Sequence, residues 1–322
     1  MSQHRPFFRR ICSQGCRAMA GTSAGRRTVA SVILAAVVLS GCATSMRQPT
    51  SAPETAASDS LDQLRERAEM ALETGRTAQA KQLYGAILAR APDDPEALMG
   101  LGEAEVLLGE HSAALEHSRK AAGLAGERTY LKARALHNAG VALLLTNRAQ
   151  QAEQELEAAV ELDPTSWRAW NVLGRARDAR RAWEEAAAAY ERALALAPGE
   201  AAVLNNFGMS KLSAGDADGA AAMFVRALEA SPDLAPAETN LRLALALGGR
   251  YEEALAGVDA KDMPAALNNT GYAALLRGDY AQARILFLRA IDASPGFYEP
   301  AWSNLRFLGS VEARQSPAPE AP

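Results

Sequence analysis

The chain has 322 residues, with 34 basic against 38 acidic side chains, three cysteines and 6% aromatics. Its 48% hydrophobic residues can bury a large core, which excludes wholesale disorder and a small disulfide scaffold; its 24 glycines follow no three-residue period, which excludes collagen. Alanine fills 71 positions, or 22%, and because it loses no side-chain entropy in a helix an all-α protein is expected.

Residues 1–41 contain Arg5, Arg9, Arg10, Arg17, Arg26 and Arg27 and no acid, leaving 28 basic against 38 acidic side chains from residue 42 onward. Nothing in that acidic remainder gathers Lys and Arg into a stripe, so nucleic acid is not an expected partner. The run Val29 to Leu39, VASVILAAVVL, is 11 residues long and apolar but for Ser31; it is too short for a membrane span of about 20 and suits the apolar centre of a signal peptide. Leu39-Ser40-Gly41-Cys42 follows and resembles the lipobox of bacterial lipoproteins. That resemblance implies cleavage after residue 41 and acylation of Cys42, and Ala43-Thr44 in place of an aspartate implies sorting to the outer membrane, facing the periplasm. Two or more acyl chains, at roughly 0.8 kcal/mol per buried methylene, give stable anchoring. Cys12 and Cys16 leave with the signal, so no free thiol remains. Residues 43–60 are rich in Ser, Thr, Ala and Pro and, with Cys42, read as a flexible tether, about 60 Å long when stretched.

From Leu61 the chain repeats. Gly75, Gly109, Asn147, Arg181, Gly215, Gly249 and Gly278 mark turns, and five residues after each stands an alanine: Ala80, Ala114, Ala152, Ala186, Ala220, Ala254 and Ala283. Against the alanine background that coincidence has a chance on the order of 10⁻⁵, so the register is real. Gly102, Gly140, Gly174, Gly208 and Gly271 lie seven residues before their turns, where two helices are expected to touch; Tyr84, Leu156, Tyr190, Phe224 and Phe287 are the bulky plugs of the second helices. Pro92, Gly126, Pro164, Pro198, Pro232 and Pro295 end most units.

Two spacings deviate. Asn147 follows Gly109 by 38 residues, which implies four extra residues near Ala125–Tyr130, absorbed in a loop; Gly278 follows Gly249 by only 29, which implies a second helix cut short near Val258 and a weak point there. The same sixth unit has Arg242 in place of the helix-contact glycine.

Trp170-Asn171-Val172-Leu173-Gly174, with Ala186, Tyr190, Ala193 and Pro198, resembles the tetratricopeptide pattern. The resemblance implies an all-α, right-handed superhelical solenoid of about seven helix pairs over residues 61–311, closed by a capping helix from Pro300 to Leu308. Residues 312–322, with three prolines, read as a disordered tail. It also implies that the first helices line a concave groove for a protein or peptide segment. The positions turned into it are Arg168, Asn171, Arg175 and Asp178; Asn205, Asn206 and Met209; Thr239, Asn240 and Leu243; and Asn268, Asn269 and Tyr272. An asparagine amide can pair with a ligand's main chain, or it can serve the helix that carries it. Arg168 and Arg175 are the nearest approach to a clamp for an acidic peptide.

No metal ligand set is expected, since His111 and His117 are six residues apart and His137 is distant. No nucleophile elbow, zinc-protease or phosphate-loop motif occurs, so the chain reads as a binding protein with no cofactor beyond the lipid on Cys42 and no enzymatic activity. The lipobox with its following Ala43-Thr44, the repeats, and the segments Ala266 to Tyr272, Gly278 to Tyr280 and Ala290-Ile291 resemble the TadD lipoproteins of Flp (tight adherence) pilus assembly. That resemblance implies a pilotin-like role in which the groove holds a secretin or another pilus component. An adaptor for peptidoglycan-remodelling enzymes is the alternative.

Overall fold

The computed structural model describes residues 59–315, and all regular structure among them is α-helical. The expected signal peptide, Cys42, most of the tether and the last seven residues lie outside the described residues. The helices form two compact units divided between Pro198 and Gly199. The first holds α1 (Leu61–Glu73), α2 (Thr77–Arg90), α3 (Pro95–Leu107), α4 (His111–Leu124), α5 (Thr129–Leu145), α6 (Ala149–Leu162), α7 (Trp167–Ala179) and α8 (Trp183–Leu196). The second holds α9 (Ala201–Ala214), α10 (Ala217–Ala230), α11 (Ala235–Leu247), α12 (Tyr251–Leu255), α13 (Met263–Arg277), α14 (Tyr280–Asp292) and α15 (Glu299–Gln315). Odd-numbered helices are the first (A) and even-numbered the second (B) of each pair, and each B helix packs on its own A helix and on the A helix that follows within its unit.

The turns explain the register. All seven marked residues have positive φ, from 62° at Asn147 to 93° at Gly215. In every one the amide after the turn residue donates back to a carbonyl five residues earlier, as in Arg76 N to Ala71 O at 2.7 Å and Ala182 N to Arg177 O at 3.0 Å. This closes the orphan carbonyls at the end of helix A and reverses the chain in the space of about three residues. The chain enters helix B through Asp216 or Asp279 in two units, whose carboxylates accept from Gly219 N and Gln282 N. Helix A is capped by Ser60, Asp94 and Ser166 in three others.

The seven alanines are all buried, none more than 1% exposed. The glycines do what their position requires: a Cβ on Gly140 would come within 2.5 Å of Leu156, on Gly174 within 2.8 Å of Tyr190, on Gly208 within 2.5 Å of Phe224 and on Gly271 within 2.8 Å of Phe287. Each such plug is fully buried. Helix A thus presents bare backbone to a large side chain nine residues beyond the turn, and the pair closes the core of one repeat.

Both irregularities are resolved. The four extra residues lie in no loop: they extend α5 by one turn at its N-terminus, making it 17 residues against 13 or 14 for most other A helices. A helical turn satisfies its own backbone, which a longer loop would leave to water. In the sixth pair α12 ends at Leu255, three residues before the expected Val258. Position 258, where the plug would stand, is beyond the helix, and Arg242 takes up the space: its Nη1 donates to Ala254 O at 3.0 Å and Ala256 O at 2.8 Å, and its Nη2 to Glu238 at 2.8 Å. The arginine caps the shortened helix that its glycine counterparts would pack against. The terminal helix α15 runs past 311 to Gln315, with Glu312 paired to Arg284, so the helix reaches into the expected tail.

None of the described helices is long and apolar enough to cross a membrane.

Arg181 sits at φ 64° where five other turns have glycine. Left-handed backbone costs a residue with a Cβ roughly 1 kcal/mol, so Arg181→Gly should raise the melting temperature of the chain by a few degrees, measured by circular dichroism; an unchanged or lower value would show that its side chain offsets the strain.

Candidate groove on the helix A face

The proposed groove residues fall in both units, and each unit holds its own set. In the second unit, Asn205 of α9 is 3% exposed and accepts from Asn240 Nδ2 of α11 at 3.0 Å. Asn268 of α13 is 5% exposed, accepts from Asn304 of α15 at 2.9 Å and lies 3.5 Å from the exposed Asn269. The asparagines therefore bridge one helix A to the next, a partnership that spacing within a single repeat does not show. Each retains donor and acceptor capacity beyond these bonds. Asn206 is half-buried. Met209 packs against the cluster of Ala221, Phe224 and Leu245, and Tyr272 against that of Leu267 and Phe287. The same bridging occurs in the first unit, where Asn138 of α5 donates to Met99 O at 3.4 Å. Sequence reasoning misses Asn138 and Asn304; they lie 39 and 36 residues from their partners, and only the repeat register points to them.

In the first unit, Arg168, Asn171 and Arg175 all lie on α7. Asn171 is buried, Arg168 exposed and Arg175 half-buried. The Arg168 guanidinium stacks 4.5 Å from the Trp167 ring centroid. One repeat earlier the same position is Arg134, whose Nη2 meets Glu103 of α3 at 2.8 Å; the residue corresponding to Glu103 for Arg168 is Val141, which offers no carboxylate. Arg175 makes no hydrogen bond or ion pair among the described residues. Burial lowers its pKa, opposed by nearby Tyr190 and Asp178, while Asp178 itself accepts from Tyr190 Oη at 2.7 Å. Burial raises the Tyr190 pKa well above the phenol range. By contrast Arg177, on the same helix, is bound to Glu153 at 3.2 Å and Glu157 at 3.0 Å of α6, and Arg180 also meets Glu153. Neighbouring arginines of α7 thus divide into Arg177 and Arg180, which tie repeats together, and Arg168 and Arg175, which make no ion pair among the described residues.

His137 of α5 occupies the column of Asn171. Burial holds its pKa down to about 4, and Arg134 and Arg168 add repulsion. Its Nδ1 lies 3.4 Å from Asn138 Oδ1, and Nε2 is buried with no partner among the described residues. The imidazole is neutral at pH 7, and the local charge of this face comes from the guanidinium groups.

The helix pairs, their turns and their glycine contacts define a tetratricopeptide scaffold. The tetratricopeptide repeat family model matches residues 65–129, 137–201 and 250–296, more than half of the chain, and the chain belongs to that family. Three solved structures share the fold. A thermophilic tetratricopeptide protein of Thermus thermophilus is 23% identical over 58% of this chain and 99% of its own, with a TM-score of 0.50. The C-terminal part of a repeat protein from Cytophaga hutchinsonii is 17% identical over 75% and 99%, with a TM-score of 0.53. A repeat protein from Parabacteroides merdae is 15% identical over 77% and 98%, with a TM-score of 0.50. No curated protein matched the chain significantly. The family is a protein-interaction scaffold, typically without enzymatic activity.

Two outcomes follow from the charges. Arg175→Met removes a half-buried charge with no ion-pair partner among the described residues and should leave the melting temperature unchanged or raised, whereas Arg177→Met strips Glu153 and Glu157 of a partner and should cost about 2 kcal/mol in chemical denaturation; equal losses in the two variants would show that Arg175 is a structural residue. At His137 the unfolded chain takes up a proton near the usual 6.5 that the folded chain refuses until about 4. Stability should therefore fall as the pH drops through that window, and His137→Phe should flatten the fall in a pH series of unfolding free energies; an unaltered slope would clear His137 of it.

Proposed function

We propose that the protein is a lipid-anchored adaptor of the outer membrane that faces the periplasm and holds a partner segment on the helix A face, assisting assembly of a Flp (tight adherence) pilus. Cys42 is the anchor, in the setting Leu39-Ser40-Gly41-Cys42-Ala43-Thr44, and the residues after it form the tether. The groove residues are Arg168, Asn171 and Arg175 in the first unit and Asn205, Asn206, Met209, Asn240, Asn268, Asn269 and Tyr272 in the second. The observation that carries the binding role is Arg175: burial disfavours the charge of this half-buried guanidinium, Tyr190 and Asp178 nearby offset that in part, and with no ion pair among the described residues it would gain a charge-assisted bond from a ligand carboxylate. The partner segment is accordingly acidic where it crosses α7. A secretin or another pilus component is the partner favoured by the sequence resemblance, with the lipid carrying the complex to the membrane.

The decisive experiment substitutes anchor and groove separately in the producing bacterium. Cys42→Ser should release the protein from the outer-membrane fraction and lower secretin multimers and surface pili together, and Arg175→Met should lower both while the protein remains in the membrane. Normal pili and multimers in both variants would reject the pilus role.

A further inference from the structure

The truncated sixth pair leaves an apolar surface beside it open. The other B helices run 13 or 14 residues, whereas α12 has five. Eight or nine residues of helix are missing, about 13 Å at 1.5 Å per residue. Beside the stump lies an open cleft of about 570 Å³, lined by Ala221, Ala222 and Val225 of α10, Leu241 and Leu245 of α11, and Ala256 just after α12. Val225 is 42% exposed. Arg242 caps the carbonyls of Ala254 and Ala256, so the stump ends without seeking a backbone continuation. The lining of the cleft suits a helix: small and branched apolar side chains one turn apart on each of two helices, Ala221 and Val225 on α10 and Leu241 and Leu245 on α11.

Charged side chains also line it: Asp218 and Arg226 of α10, Arg250 and Glu253. Asp218 and Arg226, both at the cleft, stand eight residues apart on α10, about 12 Å along the axis. Arg250 is paired with Glu253 at 2.5 Å, and that hydrogen bond is the main cause that raises the pKa of the arginine, with the Asp218 charge adding to it. Arg226 has no carboxylate partner among the described residues; its Nη1 reaches only the Met223 sulfur, at 3.7 Å.

We infer that this cleft receives an amphipathic helical segment of a partner protein, two to three turns long, which takes the place of the absent end of α12. Its inner face carries small apolar residues against Ala222 and Val225, and a carboxylate on its flank meets Arg226. The inference uses none of the groove residues on the helix A face, so either surface can fail without the other.

The probe is a helix-stapled, fluorescein-labelled peptide with the sequence of residues 217–230, a complete B helix of this chain, titrated with the full chain and followed by anisotropy. Saturable binding is expected. Arg226→Glu and Val225→Lys should each weaken it about tenfold, and five residues inserted after Gly257 to restore the common repeat length should abolish it while raising the melting temperature. No saturable binding, or binding indifferent to both substitutions, would overturn the inference. Sedimentation equilibrium showing a dimer that Arg226→Glu dissociates would also overturn it, since the cleft would then seat a second copy of the chain.

Discussion

The structure rests on one contact repeated along the chain: a glycine on helix A seven residues before the turn, against a buried side chain on helix B nine residues after it. The contact works only if the turn is short and always the same, because sixteen residues separate the partners and one residue more or fewer would rotate the plug off the glycine by about 100°. The left-handed turn residue and its backbone bond guarantee that length. The buried alanine five residues after the turn then lets helix B lie close from its first turn. Composition follows from this geometry, since every pair needs small residues at fixed places.

The sixth pair shows the same rule by its breach. Shortening α12 removes the plug, and the glycine it would have needed is replaced by Arg242. A long cationic side chain could not fit against Tyr190 or Phe224, but with the facing helix gone it reaches two carbonyls that would otherwise be orphaned. Loss of a hydrophobic contact and gain of a cap occur together, and the apolar flank of α10 stays uncovered as a result.

How much of this can be read from the sequence depends on whether the signal is local. The turns, the buried alanines and the helix-contact glycines are legible because each is a residue type forced by the backbone within one repeat: Gly75 by positive φ, Gly208 by Phe224. The capping helix is legible to Leu308 but not its continuation to Gln315, which depends on Arg284 of another helix meeting Glu312. The four extra residues before α5 read as a loop because length alone does not say where it is absorbed; Thr129 to Lys132 join a helix already nucleated beyond them.

The groove is legible by column and not by role. Spacing brings out Asn205, Asn240 and Asn268 as residues of one face, yet amides on successive A helices are also within reach of each other, and the structure pairs them across repeats. Charge separates the roles more cleanly than residue type does. Arg134 and Arg177 have carboxylates on a neighbouring helix, so their energy belongs to the stacking of repeats. Arg168 loses its partner because Val141 stands where Glu103 stands one repeat earlier, and Arg175 sits against a tyrosine whose hydroxyl is already committed to Asp178. A desolvated cation that contributes nothing to the stacking adds self-energy to the folded chain, and an incoming carboxylate would turn that cost into affinity. Because ion pairs from Arg177 already tie α7 to α6, little reorganisation would accompany that step.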